Sequence, residues 1–495
     1  MPNYKDKKDS CVEITNETIP FIYLFTSHGY NFVLDLHTNK IFSLEPREAE
    51  VIEKWLKGVK FADLSKEFPK EAATIKVFQD RGLFCCQPPE GLAYGIDWEG
   101  VCDNILNKRA MTIIEITQQC NLRCKYCTFG GGFKDHRTLS SKNMSEEVLK
   151  KSILSALKHG SDLDEIFITY YGGEPLCAFD LLKTSVSFAQ KISSGKNINF
   201  SLTTNATLID REKASFLKEA GFNVLVSIDG PKYMHDRYRV FADGTGSYDY
   251  TIKGLKTLLD VYPTELHYKI GLNMVVPSSE WIPLSGELWD NEKWLPRTLK
   301  AKAKVVDPPN GFQFPELPTC AKSKNIKEEW LSSFTATGSS EKNTLLSEIY
   351  DTSLASIHQR PTFPNYRRTF FPNGCCIPGG RKIYIRVDGV YQICENAHGA
   401  PTIGSVFQGV DLQQIKKIIN DYCELSFQNC KTCWAISLCS LCYVNAYEKG
   451  MFSVDRKCKS CAFIREYLAS DLNLYGWISQ KYPQKLVEWD KIVMI

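Results

Sequence analysis

The middle of the chain alternates short apolar runs with longer amphipathic segments. The apolar runs predict six β-strands, at residues 113–117, 165–170, 198–203, 224–228, 269–276 and 301–306. The segments between them predict helices, for example one capped by Ser145 that ends at Gly160, and one capped by Asp210 that ends at Gly221. Six strand–helix units predict an α/β fold with a partial parallel (β/α)6 barrel. Ligands of such a barrel bind at the carboxyl ends of its strands.

A different pattern occupies residues 1–90. Apolar runs on either side of Gly29 predict a hairpin, and three amphipathic helices follow at 47–56, 61–68 and 70–82. Two or three strands with three helices form a winged-helix-like arrangement, which elsewhere binds DNA. Pro88, Pro89 and Gly91 then open a linker. The predicted organisation is a winged-helix-like domain at 1–90, a linker at 91–110, the barrel at 111–310, a bridging region at 311–370 and a C-terminal domain at 371–495.

Composition and charge limit the functions that this fold can have. The chain has 495 residues, of which 43% are hydrophobic and 24% charged, as in soluble globular proteins. Its net charge of +3 is small for this length, so charge predicts neither a nucleic acid nor a membrane as partner. The first residues are polar, and no run of about 18 apolar residues follows. These features predict a cytoplasmic protein.

Nineteen cysteines are unusual for a cytoplasmic protein. In a reducing compartment they are better interpreted as metal ligands than as disulfides. Cys120, Cys124 and Cys127 follow the first predicted barrel strand with C-x3-C-x2-C spacing. Three thiolates on one loop can bind three irons of a [4Fe-4S] cluster and leave the fourth iron open to substrate. A structural zinc site would need two C-x2-C pairs or nearby histidines; a disulfide or buried thiols are the remaining alternatives.

With Tyr126 before the last cysteine, this loop resembles the signature of the radical S-adenosylmethionine (radical SAM) superfamily. The resemblance implies a TIM-like partial barrel in which the open iron chelates the amino and carboxylate groups of SAM. One electron from the cluster then cleaves SAM to methionine and a 5'-deoxyadenosyl radical, which abstracts hydrogen from substrate. We therefore expect the other SAM contacts at the ends of the following strands.

Three strand-end motifs agree with this expectation. The turn Gly172-Gly173-Glu174-Pro175 resembles the GGEP motif, which receives the SAM amino group. The run Ser227-Ile228-Asp229-Gly230-Pro231, with Arg239 after it, resembles a motif of the peptide-modifying members of the superfamily. In those members the positions of Ser227 and Arg239 bind the SAM carboxylate. Asn205 ends the third strand, but Ala206 replaces the glycine frequent in the family, which leaves the role of Asn205 open. The residue types of all three motifs are also common in turns that bind no ligand.

Ten further cysteines lie between residues 375 and 461. A zinc ribbon would account for only four of them. Their arrangement resembles the SPASM domain, which holds two auxiliary [4Fe-4S] clusters, although the last step is C-x2-C where the family has C-x3-C. The resemblance implies that auxiliary cluster I is bound by Cys376, Cys394 and Cys442, with Cys375, Cys320 or no fourth ligand. For auxiliary cluster II it implies the ligands Cys430, Cys433 and Cys439, with Cys458 or Cys461 as the fourth. Of these two we choose Cys458 as the expected ligand. We interpret the remaining cysteines as buried thiols, namely Cys11, Cys85, Cys86, Cys102, Cys177 and Cys423.

The sequence as a whole is similar to radical SAM maturases of Cys-rich peptides, of the thioether-forming sactipeptide and ranthipeptide type. In such enzymes the winged-helix-like domain holds the leader of a ribosomally synthesised precursor peptide as an added strand; a docking module without ligand is the alternative. The expected partners are this precursor and a flavodoxin or ferredoxin as electron donor, and the cofactors are SAM and three [4Fe-4S] clusters. Arg360, Arg367 and Arg368 either meet an acidic peptide or form a solvated surface.

Other functions remain open from the sequence. Within the enzyme class they are carbon–carbon or ether crosslinking, epimerisation with Cys177 as a hydrogen donor, and formylglycine formation on sulfatases. The predicted leader-binding domain argues against sulfatases, whose maturation site is recognised through a local motif. A redox-sensing regulator with a DNA-binding winged helix would leave the GGEP-like and SIDG-like motifs unexplained, and the charge shows no DNA footprint.

Overall fold

A sheet of eight strands runs through the middle of the protein. In the computed structural model, residues 19–492 are described, apart from 95, 131–135, 306–327, 329, 333–343, 373 and 449. Along the described chain, the helices and strands form a small N-terminal module, a barrel and a C-terminal domain. No helix within these ranges combines the length and the apolar character needed to span a bilayer.

The N-terminal module is a small sheet packed on three helices. Its antiparallel strands lie in the order β1 Ile22–Ser27, β2 Tyr30–Asp35 and β3 Lys40–Leu44. The helices are α1 Pro46–Leu56, α2 Phe61–Glu67 and α3 Pro69–Asp80. Apolar side chains from both layers, including Val33, Ile52 and Ile75, form a core of their own. The hairpin and three helices predicted from the sequence are present, and β3 completes the sheet.

The two edges of this sheet differ. The outer side of β1 faces a long C-terminal helix, where Ser27 Oγ donates to the carbonyl oxygen of Asn473 at 2.6 Å and Asn473 Nδ2 donates to that of Thr26 at 2.6 Å. In the described part of the chain, β3 pairs only with β2. The sheet therefore presents one open edge, at β3.

The linker leads into the barrel. It contains β4 Gly91–Leu92 and α4 Trp98–Asn107. The barrel strands are all parallel and are β5 Met111–Thr117, β6 Glu165–Gly172, β7 Asn197–Thr204, β8 Asn223–Ser227, β9 Ile270–Val276 and β10 Lys300–Val305. The helices between them are α5 Glu146–His159, α6 Phe179–Ile192, α7 Arg211–Glu219, α8 Lys232–Tyr238, α9 Tyr248–Val261, α10 Ile282–Gly286 and α11 Leu288–Asn291. The predicted α/β fold with six parallel barrel strands is confirmed.

The bridging and C-terminal regions follow. The elements are α12 Thr344–His358, β11 Thr369–Phe370, β12 Lys382–Ile385, β13 Tyr391–Gln392, β14 Gly404–Ser405, β15 Gly409–Val410, α13 Leu412–Cys430, β16 Tyr447–Glu448, β17 Met451–Phe452, α14 Val454–Lys481 and α15 Gln484–Trp489. Beyond β5, the barrel sheet continues into this domain: β12 pairs parallel to β5, with Lys382 opposite Met111, and β13 pairs with β12. The sequence predicts a strand near 382–387 but not that it joins the barrel.

Two of the three arginines of the bridging region fasten the N-terminal module. Arg360 Nε donates to the carbonyl oxygen of Asn39 at 2.7 Å, and Arg367 Nε donates to that of His37 at 2.6 Å. Both carbonyl groups belong to the turn between β2 and β3. The expectation that these two arginines meet a peptide or face solvent is therefore wrong, because their donors are used inside the protein. Arg368, whose side chain is 60% exposed, is the solvated member.

Candidate functional site

The cysteine loop lies at the carboxyl end of β5, against the segment that follows α8. The backbone N–H of Arg123 donates to the carbonyl oxygen of Val240 at 2.6 Å, and that of Lys125 donates to Tyr238 at 2.9 Å. Burial raises the pKa of all three thiols in this loop, and the pKa of Cys124 reaches about 12. The neighbouring Cys124 and Cys127 also contribute to the raised pKa of the Cys120 thiol. The structure thus brings the three predicted cysteines together in a buried place.

The two glycines of the second motif hold the end of β6 against this loop. Gly172 has φ +131°, and a Cβ there would lie 2.2 Å from the carbonyl oxygen of Thr117. A Cβ on Gly173 would lie 1.9 Å from the carbonyl oxygen of Gln119, the residue before Cys120. Such approaches exclude any side chain. The glycines therefore allow the β6 backbone to bind the start of the cysteine loop.

Glu174 is a buried carboxylate at the ends of β6 and β7, with 1% of its surface exposed. It accepts hydrogen bonds from Thr204 Oγ1 at 2.7 Å, from the Asn205 N–H at 2.7 Å and from the Leu176 N–H at 3.1 Å. Burial nevertheless raises its pKa to about 7, because the hydrogen bonds offset only part of the desolvation cost. A carboxylate in such a place suits a cationic ligand such as the ammonium group of SAM.

Asn205 connects β7 to the cysteine loop. Its Nδ2 donates to Asn121 Oδ1 at 2.9 Å, and its Oδ1 accepts from the Thr207 N–H at 3.0 Å. Ala206, which follows, has φ +58° and is fully buried. This is the left-handed conformation that glycine adopts without strain, which explains a preference for glycine at this position. Within the described residues, Asn205 thus links the end of β7 to the cysteine loop by hydrogen bonds.

Arg239 lies beside the cysteine loop and is held by an aspartate that sequence reasoning missed. Asp229 Oδ1 accepts from Arg239 Nε at 3.0 Å and from the Val275 N–H at 3.0 Å, while Oδ2 accepts from the Tyr126 hydroxyl at 2.5 Å. Arg239 in turn lowers the pKa of the Cys124 thiol, although burial dominates. Asp229 lies two residues after the end of the buried β8, and this position at a strand end is the signal that could have identified its role.

Ser227 ends β8 and is 7% exposed. It therefore lies at the same end of the sheet as the cysteine loop, Glu174 and Asn205, since parallel strands end at the same edge. All six residues expected to bind SAM and the three loop cysteines lie at this edge. The sequence prediction of their common location agrees with the structure.

A second group of cysteines lies around β12 and β13. Burial raises the pKa of four thiols in this group, namely Cys375, Cys376, Cys394 and Cys442. The neighbouring Cys442 and Cys376 also contribute to the raised pKa of Cys375. Cys394 has Cys376 as its thiol neighbour. Cys320, the other thiol considered for this group, lies outside the described residues.

An ion pair lies between this second group and the cysteine loop. Lys382 Nζ donates to both carboxylate oxygens of Glu395 at 3.0 Å. The pKa of Tyr171 is raised to about 12, chiefly by burial and to a lesser extent by the nearby Glu395 and Cys127. Glu395 is therefore an acidic group between the two sets of thiols, and sequence reasoning did not identify it.

A third group lines a cavity of about 250 Å³ between α13 and α14. Its lining includes five cysteines, namely Cys430, Cys433, Cys439, Cys458 and Cys461, together with Asn429, Tyr422 and Lys457. The pKa of the Cys439 thiol is raised to about 11, chiefly by burial and to a lesser extent by Cys430, Cys433 and Cys461. Cys458 is exposed.

The thiol groups have the donor chemistry of iron–sulfur cluster ligands. Among the described residues, no three His, Cys, Asp or Glu side chains converge closely enough to hold one metal ion. The five cysteines instead surround a space that has room for a polyatomic group, and all-thiol ligation is typical of iron–sulfur clusters. The donor set therefore fits the [4Fe-4S] clusters that the sequence predicts.

Comparison with known proteins agrees with this geometry. Residues 114–277 match the model of the radical SAM superfamily. A cysteine-type anaerobic sulfatase-maturating enzyme of Clostridium novyi is 34% identical over 152 residues, 30% of this chain and 40% of that protein. A serine-type anaerobic sulfatase-maturating enzyme of Bacteroides thetaiotaomicron is 31% identical over 140 residues, 28% of this chain and 34% of that protein. The chain thus spans less than half the length of these relatives.

The fold is shared over a longer stretch. The solved structure of native anSMEcpe with bound AdoMet has a TM-score of 0.54 at 18% identity, over 77% of this chain and 100% of that chain. The structure of the same protein with AdoMet and the Kp18Cys peptide has a TM-score of 0.54 at 19% identity, over 74% of this chain and 99% of that chain. This likeness concerns the fold alone. Residues 114–277 therefore match the model of the radical SAM superfamily, and the chain shares the fold of these solved structures.

Proposed function

We propose that this radical SAM protein modifies a ribosomally synthesised precursor peptide by forming thioether links between a cysteine sulfur and a carbon of an acceptor residue. The observation that carries the proposal is the N-terminal sheet, whose β3 edge is open in the described chain. An extended leader peptide can add to such an edge as a fourth strand. The contacts of Arg360 and Arg367 hold this sheet on the body that carries the cysteines.

The first cluster and SAM belong at the edge formed by β5 to β8. Cys120, Cys124 and Cys127 hold the cluster, and Glu174 receives the ammonium group of SAM. Ser227 and Arg239 receive the SAM carboxylate, and Asp229 fixes the direction of the guanidinium group through Nε. When bound, this pair supplies hydrogen abstraction from the substrate, and an electron donor of the flavodoxin or ferredoxin class supplies the electron.

Auxiliary cluster I belongs to Cys376, Cys394 and Cys442. Cys375 is the described thiol that neighbours both Cys376 and Cys442 and is 2% exposed, so we propose it as the fourth ligand. If Cys375 does not ligate, one iron stays open to a substrate thiolate. Iron content and the electron paramagnetic resonance (EPR) spectrum of a Cys375→Ala variant distinguish these two arrangements.

Auxiliary cluster II belongs to the cavity between α13 and α14. Cys430, Cys433 and Cys439 are its first three ligands, and the sequence leaves Cys458 and Cys461 as candidates for the fourth. Cys461 neighbours the other three thiols, whereas Cys458 neighbours Cys430 and Cys461 and is exposed. We therefore propose Cys461 as the fourth ligand in place of Cys458.

A second candidate function is sulfatase maturation. The curated relatives from Clostridium novyi and Bacteroides thetaiotaomicron are named as sulfatase-maturating enzymes. This function would use the same barrel site but would not require the open β3 edge. The two candidates therefore predict different substrates and different products.

The decisive experiment is mass spectrometry of a candidate precursor after anaerobic reaction with reconstituted protein, SAM and reductant in heavy water. Loss of two hydrogens per event with cysteines blocked to alkylation supports the thioether. The same loss with free cysteines indicates another crosslink, and deuterium gain without a bond indicates epimerisation. Formation of an aldehyde on a sulfatase peptide instead would favour sulfatase maturation.

Two variants serve as controls for this reaction. Cys124→Ala removes a proposed ligand of the first cluster and should abolish SAM cleavage. Cys102→Ala changes a thiol of α4 that lies outside the three groups, and should leave SAM cleavage unchanged. If Cys124→Ala retains SAM cleavage, the assignment of the cysteine loop is wrong.

Leader docking has its own test, by amide hydrogen exchange. Addition of the precursor should slow exchange in β3 more than in the buried central strand β2, because only β3 gains a new hydrogen-bonded neighbour. A leader that binds without protecting β3 would place the docking site elsewhere. Binding of duplex DNA with no effect of the precursor would favour the regulator.

A further inference from the structure

A lysine is buried inside the cavity assigned to auxiliary cluster II. Lys457 lies in the first turn of α14, is 6% exposed and lines the cavity with the five cysteines. Its Nζ donates to Cys430 Sγ at 3.6 Å and lies 4.7 Å from the centre of the Tyr422 ring. The ammonium group is therefore directed at the sulfur ligands and not at solvent.

No carboxylate among the described residues pairs with this charge. Among the described residues, Lys457 forms no ion pair with an acidic side chain. A buried cation without a counter-charge is costly. Its surroundings are thiols and an aromatic ring, so the negative charge that balances it must come from the sulfur ligands and the group that they hold.

The corresponding lysine near auxiliary cluster I is different. Lys382 neighbours Cys376 and Cys394, but both carboxylate oxygens of Glu395 lie 3.0 Å from its Nζ. This pair is locally neutral. The lysine near auxiliary cluster I is therefore paired with a carboxylate, whereas Lys457 in the cavity has no such partner among the described residues.

We propose that Lys457 is a positioning residue that raises the reduction potential of auxiliary cluster II. Reduction adds a negative charge to a cluster, and a fixed cation stabilises the reduced form more than the oxidised form. Net charge and hydrogen bonds to the sulfurs are the features by which proteins adjust such potentials. This inference rests on the proposed function, because it requires a cluster in the cavity.

The direction of electron movement follows from this difference. Tyr422 has Cys375 and Cys442 of the first auxiliary group and Cys439 of the second as neighbours. This side chain therefore lies near thiols of both groups. A cluster of higher potential in the cavity would draw the electron released at the substrate through auxiliary cluster I and away from the barrel.

The test is a redox titration of the reconstituted holoenzyme, followed by EPR, for the native chain and five variants. Lys457→Met removes the charge and the donor, Lys457→Gln keeps a donor without the charge, and Lys457→Arg keeps both. Lys459→Met changes an exposed lysine of the same helix and is the matched control. A Cys439→Ala variant identifies the signal of auxiliary cluster II, because that signal disappears.

Lys457→Met should shift the midpoint of auxiliary cluster II to a more negative potential by a factor of at least ten in the redox equilibrium, about 59 mV for one electron. The midpoint of the SAM-binding cluster should stay in place, and that of auxiliary cluster I should shift less than that of auxiliary cluster II, because Lys457 also lies near Cys375. Lys457→Gln should show a shift of the same sign, and Lys457→Arg and Lys459→Met should behave as the native chain. An unchanged midpoint in Lys457→Met with full iron content overturns the inference and leaves the proposed function intact.

The remaining outcomes are equally decisive. Equal shifts of all three midpoints overturn the inference, because they indicate a general change in the protein. Loss of the cluster in both neutral variants assigns Lys457 to cluster assembly and also overturns the redox role. A native chain that binds no iron at the cavity cysteines overturns the proposed function itself, and iron analysis of the native chain against Cys439→Ala detects this case.

Discussion

Replacement of Glu174 by glutamine separates ligand binding from structural support. Glutamine has nearly the same shape but keeps only one oxygen. That oxygen can take the place of Oε1 and accept from Thr204 and Leu176, whereas the new amide group would face the Asn205 N–H, 2.7 Å away in the native chain. A buried N–H without acceptor costs about 1–3 kcal/mol.

The lost charge has the opposite effect on stability. Burial raises the pKa of Glu174 from its usual 4.5 to about 7. The folded chain therefore keeps its proton where the unfolded chain has lost it, so stability falls as pH rises through the window from about 4.5 to 7. The full effect at higher pH is about 3 kcal/mol. Glu174→Gln lacks this cost, so in the absence of SAM at pH 8 the two contributions nearly cancel.

Glu174→Gln should change SAM affinity much more than it changes the stability of the fold. A hydrogen bond between a carboxylate and an ammonium group contributes about 1.5–3 kcal/mol. Its loss corresponds to a roughly 10- to 150-fold weaker affinity. We expect Glu174→Gln to unfold near the native temperature at pH 8, to lose the destabilisation between about pH 4.5 and 7, and to bind SAM weakly.

Calorimetric titration with SAM and thermal unfolding at several pH values measure both effects under anaerobic conditions. Glu212→Gln, in the exposed first turn of α7, is the matched control and should change neither quantity. SAM affinity within twofold of the native chain would refute the assignment of Glu174 to the ammonium group. A native-like pH dependence of stability in Glu174→Gln would refute its raised pKa.

Three further predictions concern the supports of the site. Gly173→Ala places a methyl group 1.9 Å from a carbonyl oxygen beside the cysteine loop, so iron content and unfolding temperature should both fall, whereas Gly91→Ala, which has 3.9 Å of space, should be neutral. Asp229→Asn breaks a buried ion pair and should cost about 3–5 kcal/mol in denaturant unfolding, with weaker SAM binding; native stability would contradict the role of Asp229 in holding its arginine. Arg367→Met should speed amide exchange in the turn between β2 and β3, whereas the same change at exposed Arg368 should leave exchange there unaltered.

The barrel and the cysteine loop could be predicted because their signals are local. Apolar runs of strand length mark β5 to β10, and the C-x3-C-x2-C spacing lies within eight residues. Pairing across long distances leaves no such trace. β12 pairs with β5 across about 270 residues, and nothing in its own sequence states which sheet it joins.

The same reason explains the missed supports of the site. Arg360 and Arg367 look like a basic surface run, but their partners are backbone carbonyl groups more than 300 residues away. Cys458 and Cys461 both line the cavity, and the choice between them depends on burial and on the thiol neighbours that the folded α14 gives to each. The isolated spacing contains both cysteines and cannot distinguish them.

The pairing of β12 with β5 makes the barrel and the C-terminal domain inseparable by simple truncation. A shortened chain that ended before residue 371 would leave the N–H and C=O groups on one side of β5, an apolar strand, without their β12 partners. Such an edge is a template for aggregation. Protein engineers who exchange C-terminal domains between maturases would therefore have to carry β12 and β13 with the barrel and join the chains after residue 392.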